Sequence, residues 1–321
     1  MTNILYIDKP HRLEESYMYP YYGAVYRELK QMESVYLFGG SVSDINTLLS
    51  NYDVSFDCVV FGLGYFAQGD PSAWGSINGL AEIKIPTVAL LHKPQSMLEE
   101  KLNFCKINKI DVLADPHCSY KEFGKKVGAK SFRSWFTASP EIFYPRPTEM
   151  RYDIGFSGAL HGSGKIEGPT RDLRSRIHTI LRTCNSYDVF WNGSDSVTTR
   201  IKDVGEYSSK INECKIWLST TGPMLDIGPR YFEVLLTKTL LFCNNMPLQY
   251  DGVFVDGENC VMFENDLNNF EEKLEYYLHN EDERSKIAER GYLMAKENYT
   301  WKHMAMKILE EVEKVGNRNT K

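Results

Sequence analysis

The sequence predicts two doubly wound α/β domains, each built on a parallel sheet. Short apolar runs alternate with amphipathic helical stretches along most of the chain, which is typical of strands packed between helices. Pro140, Pro145 and Pro147, with few apolar residues between them, indicate a linker, and the alternation resumes at Tyr152. A chain of 321 residues also exceeds one comfortable core and suggests two domains of about 150 residues each.

The first half of the chain has the order of a doubly wound domain. Ile4 to Ile7 is a short apolar strand that leads into the charged loop Asp8–Arg12, which is the usual beginning of such a domain. The further predicted strands are residues 35–38, 56–62, 86–91, 111–114 and 131–136, and the predicted helices are residues 17–32, 44–51, 97–108 and 120–127. Because the strands are mostly apolar throughout, we expect helices on both faces of the sheet. We place this domain at residues 1–146.

The second half repeats the architecture without repeating the sequence. Its first strand, residues 152–158, runs into a glycine turn at Gly158. The other predicted strands are residues 187–191, 216–220 and 240–243, and helices are predicted at 171–183, 204–213, from 229 onward, and at 270–280, 283–298 and 301–315. Met304, Ile308 and Val312 recur at helical spacing and form the buried face of the last helix. We place the second domain at residues 147–300, followed by a helical segment at 301–321.

Bulk properties exclude several classes of function. The net charge of −6 and the pI of about 5.7 argue against broad nucleic-acid binding, although a local basic cleft stays open. The seven cysteines contain no C-x-x-C pair and several lie in apolar runs, so buried free thiols are expected. There is no His-Glu-x-x-His spacing for a catalytic zinc. No apolar stretch is long enough to span a membrane, and the N-terminus lacks a basic leader, so we expect a cytoplasmic protein.

One charged pair stands where a helix is predicted to begin in the second half. Pro229 suits the first helical turn, and Arg230 and Glu233 lie three residues apart on one face. An arginine at a helix N-terminus attracts phosphate, and a carboxylate can accept hydrogen bonds from both hydroxyls of a ribose. The same pair can equally be a surface ion pair of little energetic value.

An ordered series of motifs carries a family resemblance. It comprises Tyr-Asp-Ile-Gly-Phe-Ser-Gly from Tyr152, Arg-Tyr-Phe-Glu from Arg230, Phe-Val-Asp-Gly-Glu-Asn-Cys-Val-Met-Phe from Phe254, the Tyr-Tyr-Leu segment from Tyr276, and Asn-Tyr-Thr-Trp from Asn298. Residues 150–310 thereby resemble the donor-binding domain of GT-B glycosyltransferases, notably the group-1-like transferases related to the spore-maturation protein CgeB. The first half matches only in architecture.

The resemblance implies two Rossmann-like domains that face a central cleft, with the final helix packing back towards the N-terminal, acceptor-binding domain. It implies a hexosyl- or pentosyltransferase that moves a sugar from a UDP- or GDP-linked donor to a hydroxyl of a glycan or other glycoconjugate. No metal and no cofactor beyond the donor are expected.

Site residues follow from the same resemblance, position by position. Glu233 corresponds to the residue that grips the ribose, and Arg230 to a contact of the diphosphate. The backbone of Ser157 and Gly158 corresponds to the glycine turn beside the phosphates. The remaining candidates are Arg171, which is equally plausible as a solvated helix residue, and Thr221 and Gly222, which follow a strand and are expected to line the sugar or diphosphate pocket.

The sequence departs from the family pattern at one position. Many retaining members carry a second glutamate eight positions before the ribose-binding one, where this chain has Leu225 followed by Asp226. Either Asp226 substitutes through a local register shift, or the enzyme does not use this acidic pair. We therefore favour an inverting reaction.

Inversion requires a general base at the carboxyl edge of the first sheet. His92 follows a strand, and Asp8 and His11 follow the first one; an imidazole titrates near neutrality, so His92 or His11 can accept a proton without a large pKa shift. Asp8 can act as the base or orient a histidine. Two other functions stay open: an epimerase or phosphorylase on the same fold, or a sugar-nucleotide-binding protein without catalysis.

Overall fold

The computed structural model describes residues 1–9, 19–67, 74–93, 96–160, 168–183, 186–194, 199, 201–247, 250 and 252–319, without the side chains of Tyr19 and residues 317–319. The chain divides into two units. Unit 1 comprises Met1–Phe136 together with Trp301–Lys321, and unit 2 comprises Thr137–Thr300.

Each unit contains one parallel β-sheet. The strands of unit 1 are β1 Asn3–Ile7, β2 Ser34–Phe38, β3 Cys58–Phe61, β4 Thr87–Leu90, β5 Val112–Asp115 and β6 Lys130–Arg133. Those of unit 2 are β7 Tyr152–Gly158, β8 Val189–Gly193, β9 Cys214–Ser219, β10 Leu240–Asn244 and β11 Val261–Phe263. The orders are β2-β1-β3-β4-β5-β6 and β11-β10-β9-β7-β8. Both sheets thus run outward in two directions from their first strand, which is the doubly wound topology that the sequence predicts.

Helices connect the strands. They are α1 Tyr19–Tyr22, α2 Ala24–Met32, α3 Ile45–Ser50, α4 Leu98–Ile107, α5 Tyr120–Val127, α6 Leu173–Thr183, α7 Val204–Asn212, α8 Arg230–Leu236, α9 Phe270–His279, α10 Glu281–Asn298 and α11 Trp301–Asn319. Aspartates begin two of them, as expected for N-caps: the carboxylates of Asp44 and Asp203 accept hydrogen bonds from Thr47 N at 2.8 Å and Glu206 N at 2.7 Å.

Two local predictions need correction. The helix expected over residues 17–32 is two helices over its described residues, 19–32, because the chain is broken at Gly23, a residue that weakens helix interiors; residues 17 and 18 lie outside the described part. Strand β11 was not predicted, since Val261–Phe263 is too short to show a strand pattern.

Residues 137–146 pack with unit 2, although the sequence places them in the first domain. Arg146 donates from its backbone N to Asn212 Oδ1 at 2.8 Å and from Nη1 to Ser209 Oγ at 2.8 Å. Ser208 Oγ donates to Ile142 O at 2.8 Å. These contacts fasten the segment onto α7.

The last helix completes the core of unit 1. Met304, Ile308 and Val312 are buried, as the helical spacing predicts, and Trp301 is buried beside them. They pack in one cluster with apolar residues of the sheet and of α2, including Ile4, Val25, Leu29, Val60 and Val88. The helix therefore belongs structurally to unit 1, although it follows unit 2 in the chain.

The structure also tests the prediction of buried free thiols. The six described cysteines are free, and all except Cys118 are buried, so the prediction of buried thiols is confirmed for five of them. Cys184 lies outside the described residues.

Within the described part of the chain, no helix is both long and apolar enough to cross a membrane.

Candidate functional site

The candidate site lies at the carboxyl edge of the sheet of unit 2. Strands β7 and β9 are neighbours in that sheet, and they end at Gly158 and Ser219. Open α/β sheets bind ligands at this edge, near the point where the strand order reverses. Gly158 and the Thr221–Gly222 loop therefore lie at the same edge of the sheet, because both strands end on the same side.

Gly158 and Arg230 are in close contact. Gly158 has a φ of +153°, a conformation that glycine adopts most readily, and a Cβ atom at this position would lie 2.9 Å from Arg230 Nη1. Ser157 is 8% exposed, and its Oγ lies 3.3 Å from Asn192 Oδ1. The absence of a side chain at Gly158 thus leaves room for the guanidinium group of Arg230 at the end of the strand.

Glu233 lies one helical turn beyond Arg230 and is only 2% exposed. The hydroxyl of Tyr207, from α7, accepts a hydrogen bond from Arg230 Nε at 3.3 Å and lies close to the Glu233 carboxylate. Burial, and then the negative charge of Glu233, raise the pKa of Tyr207. The alternative of an exposed surface ion pair is therefore wrong for Glu233, since its side chain is buried close to Tyr207.

Arg174 was missed by the sequence analysis, although it joins two strand ends. Its Nη1 donates to Ala159 O at 2.6 Å, and its Nε and Nη2 donate to Thr220 Oγ1 and Thr220 O at 2.6 and 3.2 Å. The sequence did contain a signal, because Arg174 interrupts the buried stripe that Leu173 and Ile177 form on α6. The predicted Arg171 is half-buried in the turn before that helix.

Thr221 and Gly222 form a hydrogen-bonded loop after β9. Asn244, at the end of β10, is fully buried; its Oδ1 accepts from Thr221 N at 2.8 Å and its Nδ2 donates to Thr221 Oγ1 at 3.2 Å. Thr170 Oγ1 donates to Gly222 O at 2.8 Å. The loop is thus held from β10 on one side and from the segment before α6 on the other.

The loop also contains the position at which the family pattern is broken. Leu225 has a φ of +63°, and Gly222 N donates to Asp226 O at 2.8 Å. A Cβ atom on Gly222 would lie 2.4 Å from Asp226 Oδ1, so the Asp226 carboxylate packs directly against Gly222.

The structure describes two of the three candidate bases, Asp8 and His92. Both lie in unit 1 and both are buried. Asp8 is 1% exposed, with Oδ1 accepting from Lys9 N at 2.6 Å and Oδ2 accepting from Gly64 N at 3.1 Å. His92 is 2% exposed, and its Nε2 lies 3.1 Å from the hydroxyl of Tyr22. The third candidate, His11, lies outside the described residues.

Among the described residues, no three His, Cys, Asp or Glu side chains are grouped closely enough to hold a metal ion.

Similarity to known proteins agrees with this architecture. Residues 165–310 match the family model described as glycosyl transferase-like. A search of curated protein sequences gave no significant match.

Solved structures match over most of the chain at low sequence identity. HepE of Anabaena, solved with UDP-glucose, is 12% identical with a TM-score of 0.59, covering 98% of this chain and 100% of that one. Sucrose-phosphate synthase of Thermosynechococcus elongatus is 10% identical with a TM-score of 0.64, covering 98% and 99%. TarM, an S. aureus protein, is 12% identical with a TM-score of 0.55, covering 81% of this chain and 54% of that one.

The two parallel sheets and these matches establish the GT-B fold. The match does not single out CgeB, so that finer resemblance stays a prediction. The chain thus has the GT-B fold, and residues 165–310, within its second unit and the start of α11, are similar to the glycosyl transferase-like family.

Proposed function

We propose that the protein transfers a sugar from a nucleotide-diphosphate sugar to an acceptor hydroxyl, with the donor bound at the carboxyl edge of the sheet of unit 2. The observation that carries this proposal is the approach of Arg230 to Gly158, with Glu233 one turn further along the same helix. A cation beside a glycine turn, followed by a carboxylate, matches the order of diphosphate and ribose in a nucleotide.

In this proposal, Arg230 and the backbone of Ser157 and Gly158 contact the diphosphate, and Glu233 accepts hydrogen bonds from the ribose hydroxyls. Arg230 neutralises charge on the departing nucleoside diphosphate, so the reaction proceeds without a metal ion. Thr221 and Gly222 line the sugar side of the pocket, since their loop lies at the same edge.

The donor is proposed to be a uridine diphosphate hexose or pentose, with a guanosine donor as the next choice. HepE was solved with UDP-glucose, which supports testing uridine nucleotides first. The acceptor is proposed to be a hydroxyl of a glycan or another glycoconjugate.

The proposal is tested first by nucleotide binding. Glu233→Ala is expected to weaken UDP or GDP affinity in isothermal titration by about 1–3 kcal/mol, because a charge-assisted hydrogen bond to the ribose is lost. Glu206→Ala, which removes an exposed carboxylate from α7, serves as the control. Equal affinities for the two variants would remove Glu233 from the ribose site.

We propose an inverting reaction in which His92 is the base. Both oxygens of Asp8 already accept backbone hydrogen bonds, which favours His92 over Asp8. The replacement of the family glutamate by Leu225 supports inversion. Because His92 is only 2% exposed, this role requires the acceptor hydroxyl to enter the space after the end of β4 and contact the imidazole directly.

His92→Ala is expected to reduce transfer by about 100-fold or more while donor affinity changes little, because only proton abstraction is lost. Steady-state transfer rates and nucleotide titrations separate the two effects, with the half-buried His303→Ala as the control. Full activity would move the base to Asp8 or His11. Donor binding without transfer or hydrolysis by the unmodified protein would favour a non-catalytic binding protein, and interconversion of donor sugars would favour an epimerase.

A further inference from the structure

Tyr207 joins the two side chains that are proposed to hold the nucleotide. We infer that Tyr207 is a positioning residue that orders Arg230 and Glu233 for a nucleoside diphosphate, an inference that rests on the proposed function. Its hydroxyl accepts a hydrogen bond from Arg230 Nε at 3.3 Å and lies close to the Glu233 carboxylate. A phenol suits this role because it offers one O–H donor together with acceptor lone pairs.

The hydrogen bond to Tyr207 fixes the orientation of the Arg230 guanidinium group. Arg230 is held through Nε, while Nη1 is the atom nearest to the space above Gly158. The group is therefore turned so that its outer edge faces the glycine turn. Because Arg230 and Glu233 are already held in place before binding, less side-chain entropy is lost when a nucleotide binds.

Tyr207 is itself rigidly packed. It is 8% exposed, and its ring lies edge-on to Trp217 at 5.7 Å and to Phe143 at 6.0 Å between centroids. Burial, and then the negative charge of Glu233, raise its pKa, so the hydroxyl keeps its proton beside that carboxylate at neutral pH. The hydroxyl is thus held in one place, where it accepts from Arg230 Nε and neighbours the Glu233 carboxylate.

The same unit provides a matched control. Tyr231 follows Arg230 in α8 and is 1% exposed, and its hydroxyl has no hydrogen-bond partner among the described residues. Tyr207→Phe and Tyr231→Phe therefore delete the same atom from two buried tyrosines, but only the first deletion removes a hydroxyl that contacts Arg230 and neighbours Glu233.

The experiment compares the affinities of UDP, UMP and 2′-deoxy-UDP for the wild-type protein, Tyr207→Phe and Tyr231→Phe by isothermal titration, after thermal unfolding has verified that both variants fold. GDP and its analogues replace the uridine series if only GDP binds. The preference for UDP over UMP measures the diphosphate contact, and the preference for UDP over 2′-deoxy-UDP measures the ribose contact.

We expect Tyr207→Phe to weaken UDP binding about 10-fold, the usual effect of losing one good hydrogen bond, and to reduce both preferences. Tyr231→Phe should leave affinity and preferences within about twofold of wild type. Unchanged preferences in Tyr207→Phe, even with weaker binding overall, would overturn the inference, because a merely structural role weakens all three ligands alike. Failure of the wild-type protein to bind either nucleotide would instead overturn the proposed function on which the inference rests.

Discussion

The two units each bury a cation at the carboxyl edge of the sheet, but the cations differ in kind. In unit 1, Lys101 is 1% exposed and donates from Nζ to the carbonyls of His92 at 2.8 Å and Lys93 at 3.2 Å. In unit 2, Arg174 is 6% exposed and donates to the carbonyls of Ala159 and Thr220. Both side chains therefore satisfy backbone oxygens where a strand has just ended.

The difference concerns whether the charge can be lost. Burial lowers the pKa of Lys101 to about 8, with Asp115 opposing the shift, so this lysine can release its proton under mildly alkaline conditions. A guanidinium group cannot be deprotonated in a protein. The edge that is proposed to bind a diphosphate thus keeps a permanent positive charge, whereas the proposed acceptor unit has a charge that depends on pH.

The largest effect is expected from Arg174→Ala. The substitution removes donors from Ala159 O and from both oxygens of Thr220, so we expect a loss of about 3 kcal/mol or more in the free energy of unfolding. Urea unfolding of the full chain measures it. Arg182→Ala, at an exposed arginine of the same helix, should change stability by less than about 0.5 kcal/mol. Similar losses in the two variants would mean that Arg174 does not hold the strand ends together.

Lys101→Met tests the titratable cation of unit 1. Because the folded pKa of about 8 lies below the ordinary value of 10.5, the unfolded chain binds more protons between these values, and Lys101 makes stability rise with pH across that window. The unfolding free energy of the wild type minus that of Lys101→Met should therefore rise by about 2–3 kcal/mol from pH 8 to pH 10.5.

The control for this prediction is Lys106→Met, at an exposed lysine of the same helix. Its stability difference from wild type should stay constant across the same pH range. A constant difference for Lys101→Met as well would show that burial does not shift the titration of this lysine.

Gly158→Ala is expected to have a smaller effect, confined to the edge of unit 2. The φ of +153° is strained for alanine, which costs about 1–3 kcal/mol of stability, and the new methyl group would displace the flexible end of Arg230. Thermal unfolding and UDP titration should both report a loss. Gly228→Ala, where a Cβ atom meets nothing within 4 Å, is the control. Unchanged UDP affinity in Gly158→Ala would contradict the role of the glycine turn in binding.

The fold could be predicted largely from the sequence because the sheets are parallel and buried. Each strand is a short apolar run, so its position is visible without knowledge of its neighbours. The break at Gly23 and the short strand β11 were missed, since the first is a local interruption and the second pairs only through β10. The assignment of residues 137–146 to unit 2 depends on Asn212 and Ser208, which no sequence pattern joins to that segment.

The candidate site was accessible to sequence analysis only where a motif identifies it. Arg230, Glu233 and Gly158 were found because their order along the chain resembles a family, and the structure brings Arg230 into contact with Gly158. Arg174 and Tyr207 were not found, because their roles depend on contacts with α8 and with strand ends far away in the sequence. The depth of burial of Asp8 and His92 was likewise invisible, since each stands in a loop after a strand, directly before a lysine.

The position of α11 in the chain affects how the protein emerges from the ribosome. Unit 2 is continuous, so residues 137–300 can fold as soon as they have been synthesised. Unit 1 begins first but lacks Trp301, Ala305 and Ile308, which are almost completely buried in its core, until the whole of unit 2 has been made. The nascent chain thus carries an incomplete apolar surface throughout that interval, and this surface is where chaperones are expected to bind and where truncated products are expected to aggregate.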